Sequence, residues 1–220
     1  MAKANISIAR TDRYTHGLKV PSEKTKSGFR LDKSKPRDEN DPLFCKKGDT
    51  YYWWKFQNSP KRYSLTPPKP SQLTQNPFYQ AVYSIAESID ALDINSFESE
   101  SDMESFKEET IGEIEEIVAE LDEKISNMES YDGLSESPAC ELLRERLDAV
   151  QQWQNDIDNV DATLDLESIR ADVEMEYSQE DIDEMDESDY ENELEERVSE
   201  KANEIILEFI EAMQDCLFDL

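Results

Sequence analysis

The chain has 220 residues, 37% of them hydrophobic, and its formal net charge is −30. This length allows one or two domains with a buried core, and no stretch approaches the roughly 18 consecutive apolar residues of a membrane span. The three scattered cysteines, Cys45, Cys140 and Cys216, argue against a disulfide framework and against a Cys-x-x-Cys metal or redox site.

The first 44 residues are rich in Lys, Arg, Ser, Thr, Pro and Asp, with only a few spaced apolar residues. No apolar run here is long enough for a signal peptide, so with its unpaired cysteines the protein is predicted to be cytoplasmic. The composition of 34–42 predicts a loop. The segment is either a flexible arm or a few short strands, and we favour partial order because Leu43 and Phe44 need cover. His16, the sole histidine, has no catalytic constellation around it.

Residues 48–74 hold two of the three tryptophans and predict a β-hairpin. The aromatic-rich stretch 51–56 is typical of a strand, 58–60 of a turn, and 61–65 of the returning strand. Prolines at 67, 68 and 70 cannot sit in a central strand, so they are expected to end the hairpin as an extended connector.

Beyond the connector, apolar residues recur at steps of three and four, as in amphipathic helices. Asn76-Pro77 is typical of an N-cap followed by the first helical residue, and the Ser- and acid-rich stretch 93–102 predicts a loop. The short link between the two longest central helices predicts that they pack antiparallel. The predicted helices cover 77–92, 103 to just before Gly133, 138–160 and 190–217, with a weaker pattern at 164–173.

These elements predict an α+β protein. A small basic β-containing module with a flexible arm is expected over 1–75, and an acidic α-helical domain over 76–220. The helical domain is expected to be an antiparallel bundle or an extended helical hairpin.

Charge divides the chain in the same way. Residues 1–72 carry 16 Lys and Arg against 7 Asp and Glu, a net charge of +9, whereas residues 73–220 carry 7 against 46, a net charge of −39. Such a division predicts partners of opposite charge, or contact between the two halves.

The hairpin supplies the first candidate surface. Its aromatic rings could stack single-stranded bases while Lys and Arg hold phosphates. In the alternative interpretation, alternate aromatics face inward as the core of the β-module and the basic residues form its solvated face. The residues of this aromatic-basic set are Tyr51, Tyr52, Trp53, Trp54, Lys55, Lys61, Arg62 and Tyr63.

The acidic helices supply the second candidate surface. Carboxylates on rigid helices can imitate the phosphate ladder of a duplex, with charges about every 1.7 Å of axis, and so occupy the basic cleft of a nucleic-acid enzyme. They could also solvate a bundle or fold back on the basic half, yet a net charge of −39 exceeds what solubility requires. The residues of this acidic set are Glu113, Glu116, Glu120, Asp181, Asp183, Glu184, Asp186, Glu187, Glu191 and Glu195.

No metal site, cofactor or catalytic motif is predicted, so the protein is expected not to be an enzyme. The acidic triplets 156–158 and 181–183 are similar to the opening of a calcium loop, but neither has the Gly required at the sixth position. Cys45 lacks the three further ligands that zinc would need nearby.

The hairpin motif carries a family resemblance. Residues 47–56 (Lys-Gly-Asp-Thr-Tyr-Tyr-Trp-Trp-Lys-Phe), with 61–64 and 67–74, resemble a group of functionally uncharacterised bacteriophage and prophage proteins, in which a zinc-ribbon-like β-module precedes acidic helices. The segments 111–128 and 142–157 are similar to the helical region of that group, so the resemblance covers roughly two thirds of the chain. Some members carry Cys pairs around the Lys-Gly-Asp turn, whereas only Cys45 stands near it here. The resemblance therefore implies a phage origin and a metal-free module, and it implies no activity.

Three functional hypotheses follow. The first is a non-enzymatic phage protein of the host-cell cytoplasm, whose acidic helices mimic DNA and inhibit a host protein with a basic surface, such as a nucleic-acid-handling defence enzyme. The second is a single-stranded nucleic-acid-binding protein that uses the hairpin, with the acidic half as modulator. The third is a phage assembly or structural protein that forms homo-oligomers through the apolar stripes of 103–128 or 194–217. None of the three involves a membrane.

Overall fold

A computed structural model describes residues 1–10, 13–14, 44–131, 133–177 and 186–218. The chain divides into two compact units, which we call the sheet unit, Met1–Ser84, and the helical unit, Ile85–Leu220. Over the described ranges, a three-stranded antiparallel sheet is followed by five α-helices. The predicted α+β class is therefore confirmed.

The sheet unit is built around one central strand. Strand β4 pairs antiparallel with both β1 and β5, while β2 and β3 form a separate antiparallel pair. The β4–β5 pair is the predicted hairpin, and β1 adds a strand from the N-terminal segment. The predicted loop at 34–42 and His16 lie outside the described residues. The strands are β1 (Asn5–Ile8), β2 (Arg13–Tyr14), β3 (Phe44–Cys45), β4 (Thr50–Trp54) and β5 (Arg62–Ser64).

A tight turn at 46–49 leads into β4. Gly48 has a φ of +101°, in the region that glycine adopts without a steric penalty. The main-chain N–H of Gly48 donates to the oxygen of Ala9 at 2.8 Å, and the N–H of Ala9 donates to the oxygen of Asp49 at 2.8 Å. The N–H of Lys46 donates to the Asp49 carboxylate at 2.7 Å. These bonds tie the end of β1 to the turn.

Successive side chains of β4 lie on opposite faces of the sheet. Trp53 is in register with Tyr63 on one face, whereas Trp54 lies on the other face and is 0% exposed. The first face carries a small apolar cluster, which we call the sheet cluster. Its buried members are Ala9, Cys45 and Tyr63, and Tyr51, Trp53 and Leu65 pack against them.

Helix α1 (Pro77–Asp90) follows a short 3-10 helix at Pro70–Leu73. The side chain of Asn76 accepts a hydrogen bond from the N–H of Phe78 at 3.1 Å, so the predicted N-cap and the first helical residue Pro77 are confirmed. Buried residues recur at helical spacing, and the boundary between the two units falls inside this helix. These buried residues are Phe78, Val82, Ile85 and Ile89.

Helix α2 (Glu100–Glu129) begins earlier than predicted. The Ser99 hydroxyl accepts from the N–H of Asp102 at 3.3 Å and donates to the Asp102 carboxylate at 2.8 Å. This reciprocal cap starts the helix at Glu100, so the loop prediction for 93–102 is wrong over its last three residues. The capping bond with Ser99 lowers the pKa of Asp102.

Helix α3 (Pro138–Asp158) packs antiparallel to α2, as predicted. The Ser137 hydroxyl accepts from the N–H of Cys140 at 3.2 Å and caps α3. The end of α2 meets the start of α3, because Arg144 lies 2.6 Å from Glu129. Further along, the Gln154 amide donates to Glu115 at 3.1 Å.

Helices α4 (Leu166–Glu176) and α5 (Glu187–Asp215) complete the helical unit. The two pack together, with ion pairs from Arg170 to Glu191 and from Arg197 to Glu176. The Phe209 ring of α5 meets Phe97 edge to face at 5.3 Å between centroids. The predicted last helix therefore exists and begins three residues earlier than expected.

The helical unit buries the predicted apolar stripes. Burying each large aliphatic or aromatic side chain contributes about 1.5–3 kcal/mol, so these stripes provide the main stabilisation of the unit. Within the described ranges, no helix combines the length and apolar character needed to cross a membrane. The most deeply buried side chains include Met103, Ile114, Leu121, Val150, Ile157, Val173, Leu194 and Met213.

Candidate functional site

The predicted acidic residues of α2 lie along one side of that helix. Glu113, Glu116 and Glu120 are exposed, and their steps of three and four residues return to the same side of a helix. Two further exposed residues continue the row, which then spans about 21 Å. We call this row the acidic stripe; it consists of Glu109, Glu113, Glu116, Glu120 and Glu123.

The α2–α3 pair has a high linear charge density. Helix α2 carries 12 Asp and Glu against 2 Lys in 30 residues, and α3 carries 5 against 2 Arg. A helix of that length is about 45 Å long, so the antiparallel pair has one net negative charge for about every 3.5 Å. One strand of a DNA duplex carries a phosphate about every 3.4 Å. The average charge per unit length of the pair is therefore close to that of one DNA strand and about half that of a duplex.

Glu113 lies where carboxylates crowd one another. Partial burial, followed by the negative charges of Glu109 and Glu116, raises the pKa of Glu113 above its ordinary value. The ionised form of Glu113 is thus destabilised by its acidic neighbours, and a cation bound at the acidic stripe would reduce this repulsion.

Most positive charges of the helical unit contact its own carboxylates or, for Lys107, its main-chain oxygens. Residues 73–84 carry no charge, so the helical unit holds all 7 Lys and Arg and all 46 Asp and Glu of residues 73–220. Neutralisation is therefore incomplete, and most carboxylates stay exposed to solvent. The internal ion pairs are Lys124 with Glu120, Arg144 with Glu129, Arg170 with Glu174 and Glu191, and both Arg197 and Lys201 with Glu176.

The remaining predicted acidic residues belong to the start of α5 and the segment before it. Asp186 is the exposed N-cap of α5 and makes no side-chain capping bond, and Glu187 is the first helical residue. Glu191 pairs with Arg170 of α4, and Glu195 lines the groove described next. The other three, Asp181, Asp183 and Glu184, lie outside the described residues.

A groove of about 310 Å³ opens on the helical unit. Its floor is apolar and buried, formed by Phe97, Leu164, Ala202 and Ile206. Sequence reasoning missed this groove, because it joins three segments that are far apart in the chain. Spacing along α5 gave the only local indication. The remaining lining residues are Glu98, Leu166, Arg170, Glu195, Val198, Ser199 and Asn203.

The aromatic residues of the hairpin are mostly engaged in packing. Trp54 and Tyr63 are buried. The Trp53 ring packs on the sheet cluster, its N–H donates to the Ser7 hydroxyl at 3.1 Å, and the Lys61 ammonium lies 3.8 Å from its centroid. Burial, followed by the neighbouring Tyr51, raises the pKa of Tyr63.

The rest of the aromatic-basic set lies nearer the surface. Tyr51 and Tyr52 are half-buried, and Lys55 and Lys61 are exposed. The half-buried Arg62 guanidinium lies 5.1 Å from the centroid of the Phe56 ring, a cation–π distance. Lys55 and Lys61 are therefore the most exposed members of the set, while Tyr51, Tyr52, Trp53 and Arg62 are partly exposed.

Cys45 is buried beneath the sheet. Its burial, followed by the negative charge of Asp49, raises the pKa of the thiol. Among the residues that the structure describes, no group of three His, Cys, Asp or Glu side chains is placed to hold a metal ion. Cys45 acts here as a small apolar residue of the sheet cluster.

Comparison of the chain with protein-family models, with curated proteins and with solved structures found no match.

Proposed function

We propose that the protein is a non-enzymatic inhibitor whose helical unit occupies the basic, nucleic-acid-binding surface of another protein. The observation that carries this proposal is the charge density of the α2–α3 pair, which matches that of one DNA strand. Glu120 pairs with Lys124, but the 7 Lys and Arg of the unit are too few to neutralise its 46 Asp and Glu, so exposed carboxylates such as Glu113 and Glu116 stay available to a basic partner. The rigid helices present them at fixed spacing.

The resemblance to phage and prophage proteins completes the proposal. A phage protein of this kind acts in the cytoplasm of the host cell, and a host defence enzyme that handles nucleic acid offers the basic surface that the acidic stripe fits. Electrostatic attraction speeds the encounter of such partners and weakens as salt rises.

The test has two stages. The full chain, immobilised and treated with nuclease, is first used to recover bacterial proteins that elute as salt rises. Each recovered protein that binds DNA is then loaded with a labelled duplex, and the full chain is added as competitor. The proposal predicts that at least one of these proteins releases the duplex. If the duplex stays bound to all of them, the proposal is refuted.

Matched variants separate charge arrangement from net charge. E109Q/E113Q/E116Q removes three charges from the acidic stripe, and E204Q/E208Q/E211Q removes three exposed charges from α5 at the same spacing of four and three residues. We expect the stripe variant to compete about tenfold less well, which corresponds to about 1.4 kcal/mol, and the α5 variant to stay close to the original. Equal losses would mean that net charge alone acts.

The two other hypotheses receive less support. Stacking of bases on Trp54 or Tyr63 would require the sheet unit to expose side chains that are now buried. Oligomerisation through the apolar stripes of α2 and α5 would compete with the packing that already buries Ile114, Leu121 and Phe209. Anisotropy with labelled single strands and light scattering test these two hypotheses directly.

A further inference from the structure

The groove on the helical unit combines an apolar floor with an acidic rim. Phe97, Leu164 and Ile206 are each 5% exposed at the floor. The small Ala202 side chain gives the floor its depth, and Leu166, which is 45% exposed, forms one wall. A volume of about 310 Å³ lies at the lower end of the range for ligand sites, about 300–1,000 Å³, so the groove suits a single large side chain.

The charge at the rim of the groove favours a ligand that is flanked by positively charged residues. Arg170 is the only cation among the lining residues, and it is already held by Glu174 at 3.1 Å and by Glu191. Glu98 and Glu195 are exposed at the rim. With Arg170 neutralised, these two carboxylates set the sign of the local field, which opposes an anionic ligand.

The floor favours an aromatic occupant. Phe97 belongs to an aromatic cluster, with edge-to-face contacts to Phe106 at 5.8 Å and to Phe209 at 5.3 Å. An aromatic ring entering the groove would add a further contact of this kind, which is worth about 0.5–1.5 kcal/mol beyond area burial. Aromatic residues are also enriched among those that dominate protein interfaces.

We propose that this groove binds one aromatic side chain of the partner protein, flanked in the partner by Lys or Arg that meet Glu98 and Glu195. The proposal rests on the proposed function, because it assumes a basic protein partner. It adds a short-range contact to the long-range attraction of the acidic stripe. Specificity then comes from the groove and encounter rate from the stripe.

The test uses the full chain and three fluorescein-labelled peptides. Lys-Arg-Trp-Arg-Lys carries the proposed aromatic and basic features, Lys-Arg-Ala-Arg-Lys lacks the ring, and Ser-Ser-Trp-Ser-Ser lacks the charges. Anisotropy titrations at low and at physiological salt give the affinity of each. We expect the first peptide to bind about tenfold more tightly than the second, and the third to bind more weakly than either.

Two variants change the groove in different ways. A202M fills the floor, and L166S removes an exposed wall without changing the core. M175S is the matched control, because Met175 is an exposed apolar residue of the same helix as Leu166 and does not line the groove. We expect the preference for the Trp peptide over the Ala peptide to vanish in A202M and L166S and to persist in M175S. Circular dichroism checks that each variant is folded.

The outcomes separate the two proposals. Equal, salt-sensitive binding of both basic peptides would overturn the aromatic site and leave charge-driven inhibition standing. A Trp preference that survives in both A202M and L166S would also overturn the groove. Absence of salt-sensitive binding by either basic peptide would overturn the groove and the proposed function together.

Discussion

The Lys107 ammonium group of α2 lies 2.9 Å from the main-chain oxygen of Asp158, the last residue of α3. It also donates to the main-chain oxygen of Val160 at 2.8 Å. The last carbonyls of a helix lack intrahelical partners and carry partial negative charge. Lys107 therefore closes the C-terminal end of α3 from a neighbouring helix. Close by, the Glu100 carboxylate accepts from the N–H of Leu164 at 3.0 Å, so α2 holds the whole connector from α3 to α4.

The first prediction concerns this contact. We expect K107M to lower the free energy of unfolding by about 1–3 kcal/mol, because hydrogen bonds to charged groups have about that net value and the helix carbonyls would lose their partner. Urea unfolding followed by helical circular dichroism measures it. K124M is the control, since Lys124 forms only an exposed i,i+4 pair with Glu120, worth about 0.3–0.5 kcal/mol. Equal effects of the two variants would contradict the capping role.

The second prediction concerns pH. Because the folded state raises the pKa of Glu113, its contribution to stability is fully present below the unfolded-state pKa and is lost as pH rises through the folded-state pKa. We therefore expect E113Q to equal the original protein in acid and to be more stable near neutral pH. A gain of about 0.2–0.5 kcal/mol is expected, the usual size of like-charge repulsion at this spacing. Chemical unfolding across a pH series measures this difference. A gain in stability that appears only in acid would contradict the argument.

The third prediction has the opposite sign. The hydrogen bond from Lys201 lowers the pKa of Glu176, with Arg197 also contributing. Glu176 therefore stabilises the fold above its unfolded-state pKa, and this stability is lost as pH falls through the lowered value. We expect E176Q to lower the melting temperature at neutral pH, more at low salt than at high salt. D172N, an exposed change in the middle of the same helix, should not lower the melting temperature in this way.

The fourth prediction compares two glycines. An added Cβ at Gly48 or at Gly112 would meet nothing within 4 Å, so any effect comes from the backbone. Gly48 has positive φ, and G48A is expected to destabilise the sheet unit by about 1–2 kcal/mol. Gly112 lies inside α2, where G112A should stabilise by about 0.5–1 kcal/mol. Tryptophan fluorescence and circular dichroism during urea unfolding report the two changes. The same sign for both would refute the backbone argument.

Local chemistry made several elements predictable. Asn76 and Pro77 start α1 as their residue types predict, and the apolar steps of three and four located α2, α3 and α5. The sequence predicts the start of α2 three residues too late, because the Ser- and acid-rich composition of 93–102 is typical of a loop, although Ser99 and Asp102 form a recognisable cap. The exposed position of Glu113, Glu116 and Glu120 followed from the same periodicity.

Other features depend on residues that are distant in the chain. The faces taken by Trp53 and Trp54 follow from alternation, but which of the two is fully buried is decided by what packs on each face. The groove brings Phe97, Leu164 and Ala202 together from three segments. Local periodicity carries no information on such contacts.

The sequence by itself determined the fold class, the separation of basic from acidic residues along the chain and the location of the long helices. Composition and periodicity suffice for these features because they depend on residues that are close together in the chain. Only the tertiary structure decided that Lys107 caps α3, that Arg170 is neutralised beside Glu98 and Glu195, and that an apolar floor opens between them. These arrangements join groups on different helices, 21 residues apart for Arg170 and Glu191 and 51 apart for Lys107 and the main-chain oxygen of Asp158. Packing of whole helices, rather than local preference, sets such meetings.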